Sequence, residues 1–148
     1  MKLLVVSDSH HSLGYIYDAI ELEMPDAVIH LGDHQGDAED LSCAFEAIPF
    51  YTVPGNCDYG SIDPDTRLLA FEGVRFFLTH GHRYGVKSGL TRLWLAAKQA
   101  GADIALYGHT HIPSDTEKDG IRMINPGAGF YAVIQIQNGH FTCVLHRE

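Results

Sequence analysis

Cysteine is scarce and scattered: Cys43, Cys57 and Cys143 are odd in number, far apart, and form no Cys-x-x-Cys. That argues against both a disulfide framework and a thiolate zinc knuckle, and reduced thiols in a cytoplasm are the simplest expectation. Positive charge is in short supply too, with 10 Lys and Arg against 19 Asp and Glu and a formal net charge of -9. A chain so charged offers no basic face to a stable nucleic-acid partner or to an anionic membrane. Long apolar runs are missing as well. Lys2 to Val6 is too short for a signal-peptide segment, and no run approaches the ~20 residues that cross a bilayer. A soluble cytoplasmic protein without a membrane partner is expected, with homo-oligomerisation left open.

Histidine is what the chain has in excess. Ten occur in 148 residues, clustered as His10-His11, His30 and His34, His80 and His82, and His109 and His111. The length suits one domain, 1–148, with enough chain to bury a core.

The pattern along the chain alternates strands and helices at first. Lys2 to Val6 and Ala27 to Leu31 are continuous apolar runs of the kind covered on both faces. Between them Ser12 is a candidate N-cap for a helix burying Leu13, Ile16 and Ile20, with Tyr17 a further candidate, before Pro25. Strand, helix and strand in about thirty residues predict a parallel pair. A second helix is predicted from Asp37 to Ala47, then a strand over 50–53, a loop over 59–66, and a hairpin of strands 67–71 and 74–79. Residues 83–89 read as a basic flexible loop, and Leu90 to Ala100 as a helix closed by Gly101. Asp103 to Tyr107 is an apolar strand. Three further strands are predicted, around Thr116, over 121–124 and over 131–137, and a last one over 140–146 pairs through the Asn138-Gly139 turn. The late half therefore reads as mostly antiparallel. Two packed mixed sheets with helices outside, a four-layer α-β-β-α sandwich of the α/β class, reconcile the halves.

Five of the strands end in short polar motifs: Asp8-x-His10, Gly32-Asp33, Gly55-Asn56, His80-Gly81 and His109-x-His111. Each alone has an ordinary reading as a turn, a cap or a pair of solvated histidines. In α/β sheets ligands bind beyond the carboxyl ends of strands, so the five together converge on one rim. On an extended segment His109 and His111 would also project to the same side. Two carboxylates, four imidazoles and an amide oxygen, without thiolate, suit Mn²⁺, Fe²⁺ or Zn²⁺. Seven donors are too many for one such ion and fit two sharing a carboxylate, the apparatus for displacement at phosphorus.

This ordered set, together with Gly55-Asn56-Cys57-Asp58, resembles the calcineurin-like metallophosphoesterase superfamily and its compact YfcE-like phosphodiesterase branch. The resemblance implies the same four-layer sandwich and a phosphodiesterase using two divalent ions, Mn²⁺ first, with Fe²⁺, Zn²⁺ or Ni²⁺ as alternatives. It places Asp8, His10 and His111 on one ion and Asn56, His80 and His109 on the other, with Asp33 between. Spacing alone does not divide His109 from His111. The implied reaction is attack on a small phosphate ester by a hydroxide bridging the ions, and Asp33, Asn56, Cys57 and Asp58 are its catalytic candidates.

Cys57 departs from the wider superfamily, which often has histidine there to protonate the leaving oxygen, oriented by the following Asp. A thiol is a poorer donor, so esters with activated leaving groups are favoured, or Cys57 is simply a small residue with no chemistry. His82 is either a partner behind a ligand, a substitute acid, or part of a turn. His11 and His34 stand beside the motifs, His30 reads as a core residue, and Arg83 and Lys87 are candidates for a second phosphate. Asn125-Pro126-Gly127 resembles a loop that shapes the rim in this branch. The alternatives are a phosphomonoesterase or nucleotidase with the same site, and a catalytically silent interaction module like the phosphoesterase-fold subunit of the retromer coat.

Overall fold

The computed structural model describes residues 1–146. Its strands form two five-stranded mixed sheets. In the first, β1 (Lys2–Val6), β2 (Ala27–His30) and β3 (Phe50–Thr52) run parallel, and β9 (Tyr131–Gln137) and β10 (His140–His146) extend it antiparallel in the order β10-β9-β1-β2-β3. The second, ordered β4-β5-β6-β8-β7, comprises β4 (Thr66–Phe71), β5 (Val74–Thr79), β6 (Ile104–Leu106), β7 (Ser114–Lys118) and β8 (Ile121–Asn125).

Side chains alternate across each strand, and the alternation builds three apolar layers. Leu3 and Val5 of β1 join Phe76 and Leu78 of β5 and Ile104 and Leu106 of β6 in a core between the sheets. The intervening Leu4 and Val6 face outward onto Ile16, Ala19 and Ile20 of α1 (Gly14–Glu23) and Leu41 of α2 (Gln35–Ala44). Phe77 and Ala105 do the same for Leu93 and Ala97 of α3 (Thr91–Gln99). The result is the predicted α-β-β-α sandwich.

The late half differs from its antiparallel reading. The pairs β5–β6 and β6–β8 are parallel, with antiparallel partners only at the edges, β4 and β7. Helix α3 carries the chain back over the sheet between β5 and β6, and β7 carries it back between β6 and β8. The carboxyl ends of β1, β2 and β3 and of β5, β6 and β8 are thereby aligned within each sheet.

Local differences cluster at the rim. Ser12 does not cap α1; the N-cap is Leu13 and makes no side-chain bond, while the Ser12 amide turns back to the Ser9 carbonyl. Tyr17 is 43% exposed, lying against Phe45. Helix α2 starts two residues early, at Gln35, and ends at Ala44, because Asp37 in its first turn is drawn under the β1 loop. The loop over 83–89 is more ordered than predicted: His82–Tyr84 form one 3₁₀ turn and Val86 is buried against Gly81. Gly101, at φ 71°, does close α3.

Candidate metal centre

Seven non-glycine residues adopt left-handed backbone where the parallel strands run out. They are Asp8, His10 and His11 after β1, Asp33 and His34 after β2, and His109 and His111 after β6. Each such conformation costs roughly 1–3 kcal/mol and survives only where neighbouring bonds over-determine it. The bonds are present. Asp8 Oδ2 accepts from the Ser7 hydroxyl at 2.6 Å and from the His109 amide at 3.1 Å. Asp33 Oδ1 accepts from the Cys57 amide at 2.9 Å. His80 Nδ1 lies 2.7 Å from the Leu31 carbonyl, an acceptor, so Nδ1 donates there and Nε2 is left to face the rim.

With those atoms committed, the remaining ones face one another. Asp8, His10, Asp33 and His111 each bring one donor atom to within 4.8 Å of the others. His80 Nε2 stands 3.5 Å from Asp33 Oδ2 and 3.7 Å from Asp8 Oδ1. Among the described residues, Asp8 Oδ1 and His80 Nε2 are buried with no hydrogen-bond partner. A buried ring nitrogen opposite a buried carboxylate oxygen, neither of them hydrogen-bonded, is costly unless a proton or a metal cation lies between them. The nitrogen and oxygen donors, with no thiolate in the group, fit divalent Mn²⁺, Fe²⁺ or Zn²⁺.

The reading of His109 and His111 as one extended pair is corrected. Strand β6 stops at Leu106, both residues are left-handed, and their rings diverge. The His109 ring lies 5.1 Å from that of His80, whereas His111 Nε2 is 3.3 Å from Asp8 Oδ1, with its ring 5.4 Å from His10. Asn56 reaches the rim on the loop after β3, but its only side-chain bond among the described residues is from Nδ2 to Cys57 Sγ. Asp58 has no imidazole at position 57 to orient. Its carboxylate instead accepts from the amides of Asp33, Gln35 and Gly55 at 2.8–2.9 Å, fastening the β3 loop to the β2 loop.

Electrostatics follow from these contacts. Burial opposes ionisation of Asp33, but the Cys57 amide and the His80 ring outweigh it and hold its carboxyl below the usual range. Loss of water, then the Asp33 charge, push the Cys57 thiol up. Desolvation, then His80, lower both His109 and His82. The His82 ring is 5.5 Å from His80 and 6.1 Å from His109, with Nδ1 buried and unpartnered among the described residues. Arg83 is paired with Asp65 at 2.8 Å rather than turned to the rim.

Ser9 and Asp37 contribute without a sequence signal. Ser9 bridges the buried His30 and Asp37, and Asp37 also accepts from the His11 amide. Desolvation lowers His30 to about 4. Three glycines are required by close approach: a Cβ on Gly55 would overlap Asp33, one on Gly108 would overlap Ser7 and Asp8, and one on Gly32 would overlap Gly55. His34 sits between His10 and His11, its ring 4.9 and 4.0 Å from theirs.

Residues 1–146 match the family model described as the calcineurin-like phosphoesterase superfamily domain. A probable metallophosphoesterase, YsnB of Bacillus subtilis, is 34% identical over 150 residues, covering 93% of this chain and 86% of the relative. The phosphodiesterase YfcE of Escherichia coli is 30% identical over 155 residues, covering 86% and 79%. A solved structure of an archaeal phosphodiesterase superposes with a TM-score of 0.72 at 25% identity, covering 98% of this chain and 99% of that one.

Proposed function

This chain belongs to the calcineurin-like phosphoesterase superfamily and is a metal-dependent phosphoric ester hydrolase; from that premise we propose that it hydrolyses phosphodiesters at a centre for two divalent cations. The observation that carries the proposal is the facing pair of buried, unpartnered donors, Asp8 Oδ1 and His80 Nε2, inside a ring of further nitrogen and oxygen donors. Asp8, His10 and His111 would hold one cation, and His80, His109 and Asn56 the other, with Asp33 serving both. When bound, such cations act as Lewis acids that bring the pKa of water toward neutrality and offset charge gathering at phosphorus.

The chain's own residues prepare that centre. Ser7 and the His109 amide fix one oxygen of Asp8 so that the other is presented, and the Leu31 carbonyl does the same for His80. The Cys57 amide sets Asp33, while Asp58 holds the loop bearing Asn56 and Cys57 against it. Attack of water forms a new bond to phosphorus as the bond to the leaving oxygen breaks; the proton the water sheds passes to solvent, and the leaving oxygen departs without an imidazole at position 57 to protonate it. Cys57, with its raised pKa, is a weak donor. Diesters with aryl or otherwise activated leaving groups are therefore the preferred class, and Mn²⁺, one of the ions the donor set suits, is the cation to test.

The test is metal analysis of the purified protein, with hydrolysis of bis-aryl phosphate, alkyl diesters and monoesters measured with Mn²⁺ and after chelation. Metal-dependent turnover of the aryl diester above the monoester is expected. Faster monoester turnover would overturn the diester assignment, and bound metal without any turnover would indicate a silent interaction module.

A further inference from the structure

We propose that Thr110, the residue between the two histidines, and Asn125, at the carboxyl end of β8, form a clasp that sends His109 and His111 to opposite halves of the metal centre. Both are positioning residues, and the inference rests on the metal-ligand reading above. Asn125 is fully buried, and every polar atom of its side chain is used. Nδ2 donates to the Gly108 carbonyl at 3.2 Å and to Thr110 Oγ1 at 2.9 Å, and Oδ1 accepts from the Gly127 amide at 2.9 Å. Thr110 Oγ1 in turn accepts from the Ile112 amide at 3.2 Å, and the Thr110 amide donates back to Gly108 at 2.8 Å.

The grip points are therefore residues 108, 110 and 112. His109 and His111 lie between them, and both are left-handed, at φ 71° and 66°. An extended His-x-His would place both rings on one side. Fastening Gly108 and Thr110 to one buried amide, and Ile112 to Thr110, instead turns the backbone twice, and the rings part toward His80 and toward Asp8. The choice of side chain is restrictive. Aspartate at 125 lacks the two N–H donors, and alanine lacks all three bonds.

Substitution of Thr110 gives the cleaner test, because the residue is half-buried and Thr110→Val is nearly isosteric while removing only Oγ1. Thr110→Ser keeps the oxygen. Mn²⁺ binding to chelator-stripped protein is measured by calorimetry for wild type, both Thr110 variants and Asn125→Asp. Thr110→Val and Asn125→Asp are expected to weaken Mn²⁺ binding about 10- to 100-fold, the usual cost of losing a group that orients a ligand, with Thr110→Ser close to wild type. A lowered melting temperature with unchanged Mn²⁺ affinity in Thr110→Val would show a merely structural bond and overturn the clasp. A second readout needs no metal: the NMR contact between the His109 and His80 rings is expected in wild type and Thr110→Ser and lost in Thr110→Val. Its persistence there overturns the clasp. Wild-type protein that fails to bind Mn²⁺ overturns the metal centre instead, and the ring contact then decides the clasp by itself.

Discussion

Each well-anchored donor at the rim commits one polar atom to the protein and presents another. Asp8, Asp33 and His80 all follow this rule, and Cys57 is where it fails to supply an acid. Replacing Cys57 with His should raise hydrolysis of alkyl diesters relative to aryl diesters by about a hundredfold, the lower end of the range for a positioned general acid. Rates on a matched substrate pair check this, and an unchanged ratio would leave Cys57 without a chemical part. His30 makes a separate prediction about stability. Its folded pKa, about 4, lies below the unfolded value of 6.5, so between these limits the unfolded chain binds more protons. Stability is thus fully present above pH 6.5 and falls as pH drops toward 4, by roughly 3 kcal/mol from this residue. Urea unfolding of the chelator-stripped protein against pH should show that slope, and His30→Gln should flatten it.

Between elements, the loops at the strand ends are fastened to one another more than to the strands. Asp58 is the main fastener of the β3 loop, taking three amides that would otherwise lack a protein acceptor. Asp58→Ala should cost about 1–3 kcal/mol, and it should also lower activity by freeing Asn56. Denaturant midpoints and turnover measured on the same samples check both expectations. These fastenings mark where the sequence stops being readable. The strands, α3 and the turn at Asn138-Gly139 declare themselves through period and turn chemistry. The burial of Asp37 does not, because its partners Ser9 and His11 come from another loop. Ser12 likewise looked like a cap and is not one, since residues 9–12 turn so as to deliver His10.

Across the whole molecule, the parallel strands of both sheets present their ends to one rim, and that arrangement was legible from five polar motifs in step with five strands. The divergence of His109 from His111 was not, because it depends on a side chain fourteen or more residues away in sequence, Asn125. Binding that favours the folded state stabilises it by mass action. Saturating Mn²⁺ should therefore raise the melting temperature, by several degrees at a hundredfold excess over the dissociation constant, and chelation should reverse the gain. Calorimetric scans with and without chelator check it. The rim is also a seam: His80 of the second sheet is anchored on Leu31 of the first, and the His109 amide on Asp8. A nascent chain cannot assemble this centre from its first sheet alone. Its donor set is complete only once the two layers have closed on each other, so the full set of ligands reports that closure.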